Sequence, residues 1–139
     1  MNQQTKPQTA ADALEHPFGT PGEHNGYRIF PDQLANDAHV YFHGTEFRVL
    51  QAILEEGFRI PPLPLAPSVS FSPTSNLALS YACSKRSAAS PEGVVIVVRF
   101  QPDNRSRVRR DPSILYVDHF DPQPEIVGYC IVPADYVFR

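Results

Sequence analysis

The sequence predicts a single α+β domain in which strands dominate. Three observations lead there. Val40-Tyr41-Phe42-His43 reads as a strand broken by Gly44, after which Phe47, Leu50, Ile53 and Leu54 recur at helical spacing. Val94-Val95-Ile96-Val97-Val98-Arg99-Phe100 is the most apolar run, β-branched almost throughout and too short for a helix of that character. It should be a central strand buried on both faces. Fifteen prolines in 139 residues, about twice the usual share, imply short elements and loops rather than long helices. The expected total is about six short strands and two helices.

Residues 1–25 are rich in Gln, Thr, Ala, Pro and Gly with little apolar periodicity, and read as a mobile leader with room for a helical turn around Ala10 to Leu14. The domain proper is expected over residues 26–139. Tyr27-Arg28-Ile29-Phe30 reads as a short strand stopped by Pro31, and Asn36-Asp37 as a turn into the Val40 strand. The helix beyond Gly44 should end at Gly57, where a C-cap glycine belongs. Pro61-Pro62-Leu63-Pro64-Leu65-Ala66-Pro67 is an extended loop, too rich in proline for a helix. Ser68-Val69-Ser70-Phe71-Ser72 alternates as a strand that Pro73 ends. Thr74 or Ser75 can then cap a helix in which Leu77, Ala78, Tyr81 and Ala82 share a face. A polar loop from Ser84 to Gly93 precedes the apolar strand. Gln101-Pro102-Asp103-Asn104 turns the chain into its one basic cluster, Arg105, Arg107, Arg109 and Arg110, read as a solvated loop. Ile114-Leu115-Tyr116-Val117 and the run from Glu125 to Val132 are the last strands, with a proline-broken loop between them.

A chain of this length forms one core that buries roughly 68% of the unfolded surface. Its net charge of −3 supplies no global basic field to recruit nucleic acid or an acidic membrane. Cys83 and Cys130 are expected to stay reduced in a chain able to build such a core. No apolar run approaches a membrane span, and the N-terminus lacks the hydrophobic segment of a signal peptide. The expected setting is a cytosol. His16, His24, His39, His43 and His119 have no metal-ligand spacing, so no metal is expected.

Three chemistry-bearing features stand in order along the chain. His43-Gly44-Thr45 closes a strand. Ser70-Phe71-Ser72 is followed, ten residues after Phe71, by Tyr81-Ala82. Glu125 is a lone carboxylate at the start of the late strand. This order and spacing resembles the ADP-ribosyltransferase superfamily, in the branch shared by diphtheria-type toxins and the poly(ADP-ribose) polymerase catalytic domain, over about residues 38–139. The resemblance implies a compact split β-sheet core and NAD as substrate. By resemblance, His43 hydrogen-bonds a ribose hydroxyl of NAD, and the Gly44 backbone meets the nicotinamide carboxamide through the close approach that glycine allows. Tyr81 stacks on the nicotinamide ring. Glu125 is the catalytic glutamate and forms the catalytic set with His43 and Tyr81. Thr45, Ser70, Phe71 and Ser72 join them in the nucleotide site. One departure stands out: Ser70 lies eleven residues before Tyr81, where the family's first stacking tyrosine falls. Ser70-Phe71-Ser72 and Gln123-Pro124-Glu125 are instead similar to the Ser-x-Ser and Gln-x-Glu forms of the other toxin branch, which pairs them with an arginine where this chain has His43.

A single carboxylate suits NAD cleavage. Hydrolysis of an ordinary glycoside needs one carboxyl group for the leaving oxygen and another for the sugar. The nicotinamide of NAD already carries positive charge and departs neutral, which leaves an oxocarbenium-like ribose for one fixed anion to stabilise. The implied activity is mono-ADP-ribosyl transfer by a bacterial toxin or effector, acting in the cytosol of its own or a target cell. Its acceptor would be a protein, or RNA or DNA held by Arg105, Arg107, Arg109 and Arg110. The alternatives are an NAD glycohydrolase, an RNA 2'-phosphotransferase-like enzyme, and an inactive module of the same fold that binds ADP-ribose or a protein. Without the resemblance, Glu125 reads as a strand-edge charge, Ser70 as an ordinary strand residue and Tyr81 as helix core. Oligomeric state is not legible.

Overall fold

Seven strands in two sheets and three α-helices make up residues 13–61, 68–101 and 106–138, the part of the chain that the computed structural model describes. In order they are β1 (Leu14–Glu15), α1 (Asp32–Ala35), β2 (Val40–Glu46), α2 (Leu50–Glu56), β3 (Val69–Phe71), α3 (Ser75–Lys85), β4 (Gly93–Arg99), β5 (Arg107–Arg110), β6 (Leu115–His119) and β7 (Glu125–Val132). One sheet has the order β1-β7-β4-β2 and the other β3-β6-β5. The predicted α+β class therefore holds, with one strand more than expected and the four-residue α1 beside the two anticipated helices.

β4 shows why the fold has two sides. Val94, Val95, Ile96, Val97 and Val98 are all fully buried. Alternation sends Val94, Ile96 and Val98 to a core shared with α2 and the smaller sheet, where Phe58, Phe71, Leu115 and Val117 meet them. Val95 and Val97 face the opposite core, with Phe30, Phe42, Ala78, Leu79 and Ala82. β2 obeys the same rule: Tyr41 joins the first core, and Val40 and Phe42 join the second. Cys83 and Cys130 are free thiols. Burial, with the Glu15 charge adding to it, pushes Cys130 up to about 12, so it packs as a small hydrophobe and not a nucleophile.

Several local expectations change. β2 does not break at Gly44 but runs on to Glu46, pairing His43, Gly44 and Thr45 with Ile96, Val95 and Val94. A short 3-10 turn, Phe47–Val49, then leads into α2. Tyr27 adopts a φ of +57°, which ends any extended run there, so no strand forms over Tyr27 to Phe30. Residues 13–25, assigned to a mobile leader, include β1, which pairs in parallel with Gly128 and Tyr129 of β7, and Phe18, whose ring meets Tyr136 edge-on at 4.9 Å. The basic cluster is not a loop over Arg107–Arg110; it is the edge strand β5, antiparallel to β6. Arg105 and most of the proline loop, residues 62–67, lie outside the described residues. Gly57 does close α2, with φ +83° and its amide donating to the Ile53 carbonyl at 2.8 Å.

Candidate functional site

The two sheets are joined where Phe42 of β2 and Ser72, just past β3, exchange amide-to-carbonyl hydrogen bonds of 2.8 Å in both directions. One residue further along β2 the strands have parted, and a side chain spans the gap. His43 Nδ1 donates to the Ser70 carbonyl at 2.8 Å. Phe58 meets the ring edge-on at 5.3 Å, and Phe71 lies tilted at 5.5 Å. Burial holds the His43 pKa below the ordinary histidine value; the Ser70 hydrogen bond opposes that and the Lys85 charge reinforces it. The ring is therefore neutral at pH 7, a donor at Nδ1 and an acceptor at Nε2.

Gly44 stands at the same split. Phe42 turns its amide and carbonyl toward Ser72, and the alternation of an antiparallel ladder turns those of Gly44, two residues on, to the same side. Its lack of a side chain has a packing cause. A Cβ there would sit 1.9 Å from the Ala78 carbonyl oxygen and 2.8 Å from the Ala82 nitrogen. Gly93 is held in the same way, its Cβ position 2.6 Å from the Ala82 carbonyl oxygen. The two glycines let α3 lie directly on the sheet.

Between the split, α2 and α3 opens a cleft of about 540 Å³, within the range of small-molecule sites. β2 contributes His43, Gly44 and Thr45; β3 and the residue before it contribute Ser68, Val69 and Ser70. Tyr81 and Lys85 come from α3, Tyr116 from β6, and Ile53, Glu56, Phe58 and Arg59 from α2 and the chain beyond it. Tyr81 is 39% exposed, so it is not the core residue that helical spacing alone suggests. At the rim, Glu56 pairs with Arg59 at 2.6 Å, which leaves Lys85 to tip the local charge positive.

Of the residues singled out from the sequence, His43, Gly44, Thr45, Ser70 and Tyr81 come together here. Phe71 and Ser72 lie beneath the cleft and do not line it: Phe71 is fully buried, and Ser72 is buried with its hydroxyl donating to the Thr74 carbonyl at 2.8 Å. Glu125 is not brought to the cleft. It is exposed at the start of β7, in register with Arg99, whose guanidinium is 3.8 Å from its carboxylate and 3.5 Å from Asp37. The register puts its Cα roughly 14 Å from that of His43, so the strand-edge reading describes its position. Among the cleft-lining residues the one carboxylate is Glu56.

The parts that two further residues, Tyr116 and Gln123, play here emerge only in three dimensions. Tyr116 was recognised as a strand residue; the alternation that buries Leu115 and Val117 also turns Tyr116 outward into the cleft. Gln123 works from outside. Its side chain accepts from the Phe58 amide at 3.0 Å and donates to the Phe58 carbonyl at 2.8 Å, so it ties the loop before β7 to the cleft floor.

A larger hollow of about 950 Å³ lies between residues 18–27 and the C-terminal segment around Tyr136, but gathers none of the candidate nucleotide-site residues. No group of three or more potential metal ligands occurs among the described residues. No helix among them is long and apolar enough to cross a membrane. The sequence matches no protein-family model and no curated protein significantly.

Proposed function

We propose that the cleft is a nucleotide site of ADP-ribosyltransferase type, which takes NAD and passes its ADP-ribose to a macromolecular acceptor. The observation that carries this reading is the convergence of His43, Gly44, Ser70 and Tyr81 on one cleft from three separate elements. Each has suitable chemistry. Neutral His43 can accept a ribose hydroxyl at Nε2. The Gly44 amide and carbonyl face the split as a donor-acceptor pair, the complement of a carboxamide. Tyr81 offers an exposed ring to a planar heterocycle. Lys85 supplies positive charge for a pyrophosphate.

In the reaction, the bond from ribose C1' to the nicotinamide nitrogen breaks, and its electron pair leaves with nicotinamide, which departs neutral. An acceptor oxygen or nitrogen then bonds to C1' and loses its proton. Glu56, as the carboxylate within the cleft, replaces Glu125 as the candidate to stabilise the ribose cation. A second reading, a module that binds ADP-ribose without cleaving NAD, is favoured by the position of Glu125 away from the cleft.

The test is nicotinamide release from labelled NAD in a cell lysate by wild type, Glu56→Gln and Glu125→Gln. Release and labelling lost in Glu56→Gln but kept in Glu125→Gln support transfer from this cleft. Binding of NAD without release supports the binding module. Absence of both binding and release refutes the nucleotide reading.

A further inference from the structure

Ser70, Tyr116 and Arg109 stand in one row across the smaller sheet, in register on β3, β6 and β5. They share a face, because their neighbours Phe71, Leu115 and Val117 point into the core. The row begins at His43, which is bonded to the Ser70 carbonyl, and ends at the sheet edge. On the β5 side, the Arg109 guanidinium lies over the Tyr116 ring, 4.4 Å from its centroid. Asp111 holds that guanidinium from beyond, at 3.6 Å. On the β3 side the residue in register with Tyr116 is the small Ser70, and both line the cleft. One face of the ring is thus covered by a cation, and on its other side stands a serine that lines the cleft with it.

We infer that Tyr116 is a second aromatic wall of the cleft, and that its face above Ser70 receives the adenine ring of the nucleotide. The inference rests on the nucleotide reading of the cleft and names its second ring subsite. A guanidinium behind the phenol ring repels a positively charged nicotinamide and tolerates a neutral, electron-rich purine. Tyr81, on α3, is left for the nicotinamide end. The pairing also gives the serine at position 70 a use: a large side chain there would fill the space that the purine occupies.

The experiment titrates the purified protein separately with NAD, with ADP-ribose, which carries the adenine alone, and with nicotinamide mononucleotide, which carries the other ring alone. Variants are Tyr116→Phe, Tyr116→Leu, Ser70→Phe and Arg109→Gln, each checked for an unchanged thermal midpoint. Tyr116→Leu and Ser70→Phe are expected to weaken ADP-ribose by about fivefold to a hundredfold, and Tyr116→Phe to retain it. Nicotinamide mononucleotide should bind the two Tyr116 variants as it binds wild type. Equal ADP-ribose affinity in folded Tyr116→Leu, or loss confined to nicotinamide mononucleotide, overturns the assignment while leaving the cleft's nucleotide reading intact. Failure of wild type to bind NAD or ADP-ribose refutes that reading and the inference with it. If Tyr116→Leu does not fold, Ser70→Phe and Arg109→Gln decide; unchanged ADP-ribose affinity in folded Ser70→Phe overturns the inference.

Discussion

Gly44→Ala is the most sharply defined perturbation of this fold. The new methyl group would sit 1.9 Å from the Ala78 carbonyl oxygen and 2.8 Å from the Ala82 nitrogen, between the two partners of an i to i+4 turn of α3. Both obstacles are backbone, so no side chain can swing aside. The helix must lift by roughly 1.5 Å to restore ordinary contact. Ala78, Leu79 and Ala82, all fully buried, would lift with it from Phe42, Val95 and Val97. Overpacking of this kind costs about 3 kcal/mol, which lowers the unfolding midpoint by roughly 10 °C in a domain of this size. Tyr81 is on the same helix, so ligand affinity should fall as well. Thermal unfolding followed by circular dichroism measures the first effect and calorimetric titration with NAD the second. A midpoint within about 2 °C of wild type would refute the close seating of α3 on β2.

Stability should fall on mild acidification. His43 and His16 both have pKa values lowered by burial, so the unfolded chain binds more protons than the native one just below 6.5, and stability present above 6.5 is lost as pH falls toward the lowered native values. Denaturant midpoints at pH 7.5 and 5.5 measure this, and His43→Gln should flatten the difference. Gln123→Ala should cost about 1–3 kcal/mol by leaving the Phe58 amide and carbonyl without their partner, and should weaken NAD binding although Gln123 does not line the cleft. Chemical denaturation and titration check both, and unchanged stability would remove its tethering role. Glu125→Ala should change stability by less than about 0.5 kcal/mol, because its ion pair with Arg99 is exposed, and should leave NAD affinity unaltered. A tenfold affinity loss in Glu125→Ala would show that the carboxylate reaches the ligand after all.

What the sequence revealed follows from the range of the forces involved. The unbroken apolar run of β4, the Gly57 cap and the apolar face of α2 are local patterns, and each produced the expected element. The continuation of β2 through Gly44 was illegible because a glycine in a strand signals a break until the helix packed upon it is known. The arginines of β5 looked like a solvated loop, since nothing local announces that Arg109 rests on Tyr116 and that Arg110 donates to the Tyr41 hydroxyl at 2.9 Å. At the site, His43 and Tyr81 were found through motif order. Tyr116 lay in a recognised strand without a motif to mark it. The outcome for Glu125 has the same root: a carboxylate before an apolar strand is visible in sequence, but the sheet face and end it occupies depend on pairing register. Gln123 spans 65 residues to reach Phe58, beyond any sequence pattern.

The central claim is that NAD binds between β2, β3, α2 and α3. Calorimetric titration of NAD into wild type and Tyr81→Ala tests it most directly, because Tyr81 is exposed enough to be removed without disturbing the core. The account expects saturable single-site binding in wild type and affinity at least about fivefold weaker in the folded variant. No binding by wild type, or equal binding by both proteins, would contradict it.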